Sequence, residues 1–196
     1  MQNPKEEKTL VLIKPDGVKR GLVGEVISRV EQRGLKLIAL KMIWADQKKI
    51  DSHYPKDRAW IRRLGEKGID TCKSHQLDPK EILGSDDPDK IGADVRSWLV
   101  AYLTSGPMVA TVIKGIHAVA MVRKLVGPSV PANAEMGTIR GDFSVDSPTV
   151  ANHEHRAVHN LIHASENQQE ASHEIKHWFR ITEIHDYKRA EEDIMF

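Results

Sequence analysis

In Asn160-Leu161-Ile162-His163-Ala164-Ser165-Glu166 a short apolar run delivers one histidine to the mouth of what the sequence predicts to be a helix. A nucleophile for phosphoryl transfer would sit there. Free imidazole has a pKa of roughly 6.5, so near neutral pH it offers a lone pair without a base to strip a proton. Backbone N–H groups at a helix start attract anions and would meet an incoming phosphate. A lone histidine closing an apolar run is as often a packed or surface residue, so other segments must agree. Four dispersed cations are candidates for phosphate contacts: Lys14 at a strand end, Arg58 in a polar stretch, Arg123 on a helix, and Arg140 within Gly137-Thr138-Ile139-Arg140-Gly141-Asp142-Phe143. A single surface cation is usually just solvated. Arg140 stands out because neighbouring glycines let backbone approach a ligand, and a guanidinium can grip phosphate oxygens in bidentate fashion. Gly17, Gly21 and Gly24 lack the G-x-G-x-x-G spacing and no G-x-x-x-x-G-K-[ST] occurs, so the Rossmann and P-loop readings fail.

The elements that must position these residues follow from periodicity. Thr9-Leu10-Val11-Leu12-Ile13 reads as a strand, closed by a turn at Lys14-Pro15-Asp16-Gly17. Val23, Val26, Ile27 and Val30 recur at helical spacing, predicting a helix over 21–33 that stops at Gly34. Strands are expected over 35–43 and 107–113, separated by a long, polar, largely helical excursion. Ala118, Met121, Val122 and Leu125 repeat a helical face before Gly127-Pro128. A short last strand spans 158–163, and Asn167 with Glu170 at capping-box spacing opens a helix whose apolar side is Ala171, Ile175 and Trp178. Strand, helix, strand, strand, helix, strand is the split βαβ, or ferredoxin-like, order of an α+β fold, with a four-stranded antiparallel sheet. The segment 65–94, rich in Gly, Pro and Asp, reads as an insertion with too few apolar residues for a core.

Composition narrows the partners. A chain of 196 residues suits one domain of ordinary size. Its 29 basic and 28 acidic side chains leave a formal charge of +1, which gives no footprint for duplex nucleic acid or an anionic membrane, so any anion site is local. Cys72 is the single cysteine, pointing to a reducing compartment, and no apolar run approaches a membrane span; the expectation is a cytoplasmic protein.

Taken together, these pieces closely resemble the nucleoside diphosphate kinases. The marks of that family stand here as Ile13-Lys14-Pro15-Asp16-Gly17-Val18 with Arg20-Gly21-Leu22-Val23-Gly24-Glu25, as His53-Tyr54, as Thr104-Ser105-Gly106-Pro107, as Gly137 to Phe143, and as Asn160 to Ser165, in the family's order. The resemblance implies a single domain over 1–196 that assembles into hexamers or tetramers. It also implies a ping-pong reaction carrying the γ-phosphoryl of a nucleoside triphosphate to a nucleoside diphosphate. By the same resemblance His163 is the nucleophile, Glu174 bonds its other ring nitrogen, and Tyr54 stands beside it. Lys14, Arg123, Ser129 and Arg140 match the phosphate contacts, with Asn160 near the sugar. Magnesium is expected on the nucleotide phosphates, so no protein metal ligands are called for.

Departures from the family pattern are specific. Trp60 stands where a phenylalanine usually stacks on the base, Ser129 replaces a threonine, and Glu166 replaces an aspartate. Leu99 matches a leucine that packs on the base, with Leu64 as a rival. Insertions are expected at about 65–94 and 147–156; within the first, Asp86-Asp87-Pro88-Asp89 reads as a solvated turn rather than a cation site. Two other functions compete. His153, His155, His159 and His163 crowd one segment as metal ligands might in a hydrolase, although their spacing matches no compact tetrahedral signature. A non-catalytic nucleotide-binding module would keep Lys14 and Arg140 but could dispense with His163 and Glu174; both are present.

Overall fold

Five consecutive residues, Thr9 to Ile13, are buried, as a strand covered on both faces requires. They belong to β1 (Glu7–Ile13) of a computed structural model that describes residues 7–190 and 192–195. With β2 (Lys36–Ile43), β3 (Met108–Gly115) and β4 (Ile162–Ala164) it forms one sheet, ordered β2-β3-β1-β4 with every pair antiparallel. Successive β1 side chains alternate between two core layers: Leu10 and Leu12 join Ile38, Leu103, Met108 and Trp178, while Val11 and Ile13 join Val26, Val30, Val122 and Leu161. This is the expected ferredoxin-like α+β arrangement.

The helices are α1 (Pro15–Lys19), α2 (Val23–Gln32), α3 (Gln47–His53), α4 (Arg58–Ser74), α5 (Pro79–Leu83), α6 (Pro88–Thr104), α7 (Ala118–Val126), α8 (Ile139–Phe143), α9 (Pro148–His153), α10 (Gln168–Trp178) and α11 (Glu192–Met195). Two local expectations need correction. The turn after β1 is a short helix, α1, whose first position is Pro15, where the missing N–H costs nothing. The last strand is shorter than 158–163, because Leu161 takes a left-handed backbone with φ of 66°. That conformation costs a non-glycine residue about 1–2 kcal/mol. Two bonds hold it: the Leu161 N–H donates to Asp16 Oδ2 at 3.1 Å, and its carbonyl accepts from the Lys14 N–H at 2.8 Å. Gly17 makes room, since a Cβ there would lie 3.1 Å from the Leu161 carbonyl oxygen and 2.9 Å from Ile13 Cγ2. Lys14-Pro15-Asp16-Gly17 is thus the bracket that shapes the approach to β4.

The segment 65–94 does have a core. Cys72, Leu83 and Ile91 are buried together, with Ile69, Leu77, Ile82, Val95 and Trp98 packed around them. Two of its glycines are close-packing devices inside helices: a Cβ on Gly65 would sit 1.9 Å from the Pro88 carbonyl oxygen, and one on Gly92 1.9 Å from that of Ile61, whereas Gly84 ends α5 with a left-handed φ of 70°. So α4 and α6 cross with backbones almost touching. Asp87 caps α6, while Asp89 takes Arg58 Nη2 at 2.7 Å, so the acidic run is a capped turn and Arg58 is paired rather than free. The second segment, carrying α9, packs against α4 and α5, with Thr149 Oγ1 3.3 Å from His75 Nε2.

Candidate active site

Ile162 and Ala164 both enter the core layer shared with Val11, so His163 between them faces the opposite side of the sheet, paired with Leu12. Ser165 follows with the same parity. Both meet Glu174, on the buried stripe of α10 formed with Ala171 and Trp178. Asn167 caps that helix by accepting from the Glu170 N–H at 2.9 Å, worth about 1 kcal/mol. The imidazole Nε2 of His163 lies 2.8 Å and 3.0 Å from the two carboxylate oxygens of Glu174, and Ser165 Oγ donates to Oε2 at 2.6 Å. Burial pushes the Glu174 carboxyl upward, but the hydrogen bond and charge of His163, with help from His53 and Ser165, hold it below the usual carboxylate range. It is an anion at neutral pH. The Glu166 N–H bonds Glu170 Oε2 at 2.8 Å, so this amide and that of Glu170 are both taken by the capping residues.

The side chain set edge-on against His163 is His53, at 5.1 Å between ring centres and 88° between planes. It ends α3 and is driven down to a pKa of about 3, first by burial and then by the neighbouring His163, so it is neutral. Sequence reasoning gave the place beside the nucleophile to Tyr54, the next residue. Tyr54 instead packs on His53 at 5.1 Å and stacks on Trp60 at 5.9 Å with 29° between rings. Trp60 is half-buried, and Leu99 packs against the core layer containing Leu10 and Leu103.

The cations form a second cluster. Lys14 follows β1, is buried, and donates from Nζ to Asn160 Oδ1 at 2.6 Å; Asn160 Nδ2 in turn donates to the Ser129 carbonyl at 2.7 Å. Burial, then repulsion from Arg140, lower the Lys14 pKa to about 7 against the pull of Asp16. Arg140 differs from the expectation of a guanidinium free for phosphate. It is buried and donates to the carbonyls of Gly127 at 2.7 Å, Ile162 at 2.6 Å and Asn160 at 3.2 Å, tying the loop before Ser129 to β4. Burial and Arg123 bring its pKa down to about 10, still a cation at neutral pH. Arg123 and Ser129 are exposed, and no acid pairs with Arg123 among the described residues.

The rival histidine cluster does not assemble. His153, His155 and His159 are exposed; His155 lies against Trp98 and His159 against Tyr102. Among the described residues the metal-capable group is His53, His163 and Glu174.

A ferredoxin-like sheet bearing a histidine braced by a buried carboxylate, beside clustered cations, defines the class as a phosphotransferase. The family model described as nucleoside diphosphate kinase matches residues 7–61 and 88–184, and the chain belongs to that family. It is 50% identical over 178 residues to the nucleoside diphosphate kinase of Pyrobaculum aerophilum, covering 91% of this chain and 97% of that one. The crystal structure of an NDP kinase from the same organism superposes with a TM-score of 0.89 at 48% identity, covering 92% of this chain and all of the other. A Borrelia burgdorferi nucleoside-diphosphate kinase with bound vanadate and ADP, a transition-state mimic, gives a TM-score of 0.78 at 35% identity over 97% and 96% of the two chains. The stretch 62–87 lies outside the family match.

Proposed function

We infer that this nucleoside diphosphate kinase moves the γ-phosphoryl group of a nucleoside triphosphate to a nucleoside diphosphate through a phosphohistidine at His163. One observation carries the assignment: Nε2 is committed to Glu174, and Nδ1 accepts no hydrogen bond among the described residues. The neutral ring then bears its proton on Nε2 and its lone pair on Nδ1. That pair forms the N–P bond as the bond to the β–γ bridging oxygen breaks, and the diphosphate leaves with the bond electrons. A β-phosphate oxygen of the acceptor next attacks phosphorus and restores the lone pair to Nδ1. Glu174 keeps the Nε2 proton and offsets the positive charge on the ring during attack. Ser165 fixes the carboxylate in that task.

Lys14, Arg123, Arg140 and the Ser129 hydroxyl serve the phosphates, Asn160 the sugar, and Trp60, Leu99 and Tyr54 the base side. Phosphoryl transfer is mostly positioning and charge stabilisation, which such a group supplies. Magnesium arrives on the nucleotide: two nitrogens and one carboxylate suit it poorly, and it prefers phosphate oxygens and water. The phosphates' own charge is then partly neutralised by the ion they carry. The Borrelia relative's bound vanadate and ADP support this class of substrate. We assign the protein to the cytoplasm as a homo-oligomer, hexamer or tetramer; β2 is an edge strand of the sheet with Leu40 and Met42 exposed. No described helix is long and apolar enough to cross a membrane. The segments at 65–94 and 147–156 are insertions on one domain over 1–196.

The test is incubation with γ-labelled ATP and magnesium without acceptor. Label is expected on His163 as an acid-labile, base-stable bond. His163→Ala should take no label and transfer nothing while still binding nucleotide. Label mapped to His159, His155 or a serine overturns the assignment.

A further inference from the structure

The pocket holds one buried group that phosphoryl transfer leaves unused. The His53 side chain is 3% exposed and its Nδ1 lies 3.6 Å from Glu174 Oε1, the oxygen that is also 2.8 Å from His163 Nε2. Donor atoms of His53, His163 and Glu174 lie within 4.8 Å of one another. Two imidazoles and a carboxylate are a zinc donor set with an open fourth position; donors about 2.1 Å from the ion stand about 3.4 Å apart, within small side-chain shifts of what is found here. The outer contacts suit a metal site too. Ser165 holds Glu174 Oε2, leaving Oε1 for an ion, and Trp178 Nε1 approaches His53 Nδ1 at 3.4 Å, a weak contact that a metal can displace. His163 is the accessible member, at 23% side-chain exposure against 3% and 5% for the others, so an ion enters from its side and water completes the shell.

We propose that His53, His163 and Glu174 form a zinc-binding site whose occupation switches off His163. A neutral imidazole has one N–H and one lone pair. Zinc takes the pair at Nε2, the ring proton moves through water to Nδ1, and the nitrogen that should attack phosphorus has no pair to give. The protein is neither oxidised nor reduced, and the ring keeps its single proton. Binding stands on the three donors alone; the block rests on His163 being the phosphorylated residue.

Zinc and cobalt(II) are titrated into the full-length, tag-free protein without nucleotide. One ion per chain is expected, with visible cobalt bands of a low-coordinate site and two imidazoles in the X-ray absorption spectrum of the zinc form. His53→Ala should weaken binding by about a hundredfold or more and remove one imidazole. Should that variant fold poorly by circular dichroism, His53→Gln and the wild-type absorption spectrum carry the same test. The zinc form should then take no label from γ-labelled magnesium ATP, and a chelator should restore labelling. No stoichiometric binding, a shell without imidazole, or affinity untouched at His53 overturns the site. Full labelling of a zinc-loaded protein overturns the switch. A metal-free protein that takes no label counts against the proposed function instead, and leaves the titration to decide the site.

Discussion

Two sides of the cleft differ in how much is settled before a nucleotide arrives. On the His163 side, Glu174, Ser165, Lys14, Asn160 and Arg140 are already joined by short hydrogen bonds, most of them buried. On the base side, Trp60 and Leu99 are half-buried, with Tyr54 stacked on Trp60. The contrast separates two demands. Charge developing in a transition state is best met by dipoles and ions that need no reorganisation. Breadth of base use needs flat faces, which every base can share, rather than donors aimed at one edge.

Glu174→Gln should break the ordered side most. The amide can still orient the ring but has no charge to offset, so the single-turnover rate of His163 phosphorylation should fall by about ten- to a hundredfold, with a smaller loss in nucleotide affinity. A change confined to KM would show that the carboxylate only binds. Trp60→Ala probes the loose side, and its effect should be smaller: about fivefold in kcat/KM, the low end for lost base stacking, and similar for the four common diphosphates. A loss concentrated on one base would reveal edge recognition.

The smallest effect sharpens the comparison through protons. Lys14 titrates near 7 in the folded protein against an ordinary 10.5, because burial and then Arg140 disfavour its charge. Between those values the free protein lacks a proton that bound phosphate would restore. Nucleotide binding should therefore take up at most one proton in that window and weaken as pH rises through it. The unfolded chain holds that proton there, so the group contributes more to folding stability as pH climbs from 7 towards 10.5. Calorimetry in buffers of different ionisation enthalpy measures the uptake, which Lys14→Ala should abolish; uptake unchanged in that variant would point to another group.

What the sequence made legible was periodic or local. Alternation in β1 and the spacing of Val26 and Val30 in α2 announce which faces are buried, and the Asn167 cap announces α10. His163 and Glu174 could be picked out because their roles follow from residue type and position, with the family resemblance supplying the partner. What stayed hidden depends on close approach between distant residues. The left-handed Leu161 is held by Asp16, far away in the chain, and the glycines at 65 and 92 gain their meaning only from the carbonyls of Pro88 and Ile61 on the facing helix. His53 sat in plain view beside Tyr54, but burial rather than type sets it against His163. The three carbonyls that hold Arg140 lie on separate loops and a strand, so its motif alone could not announce them.

The contact of α9 with α4 and α5 also bears on the order in which the molecule can be made. A helix of six residues has no stability of its own, so α9 must wait for a surface to form on. The paired helices α4 and α6 are near neighbours in the chain and leave the ribosome before α9, closing by short-range contacts. The later segment then settles on them and draws in the stretch that ends at His163. The nucleophile then meets a wall in which α4 and α6 already stand, while α10 with Glu174 still follows it in the chain.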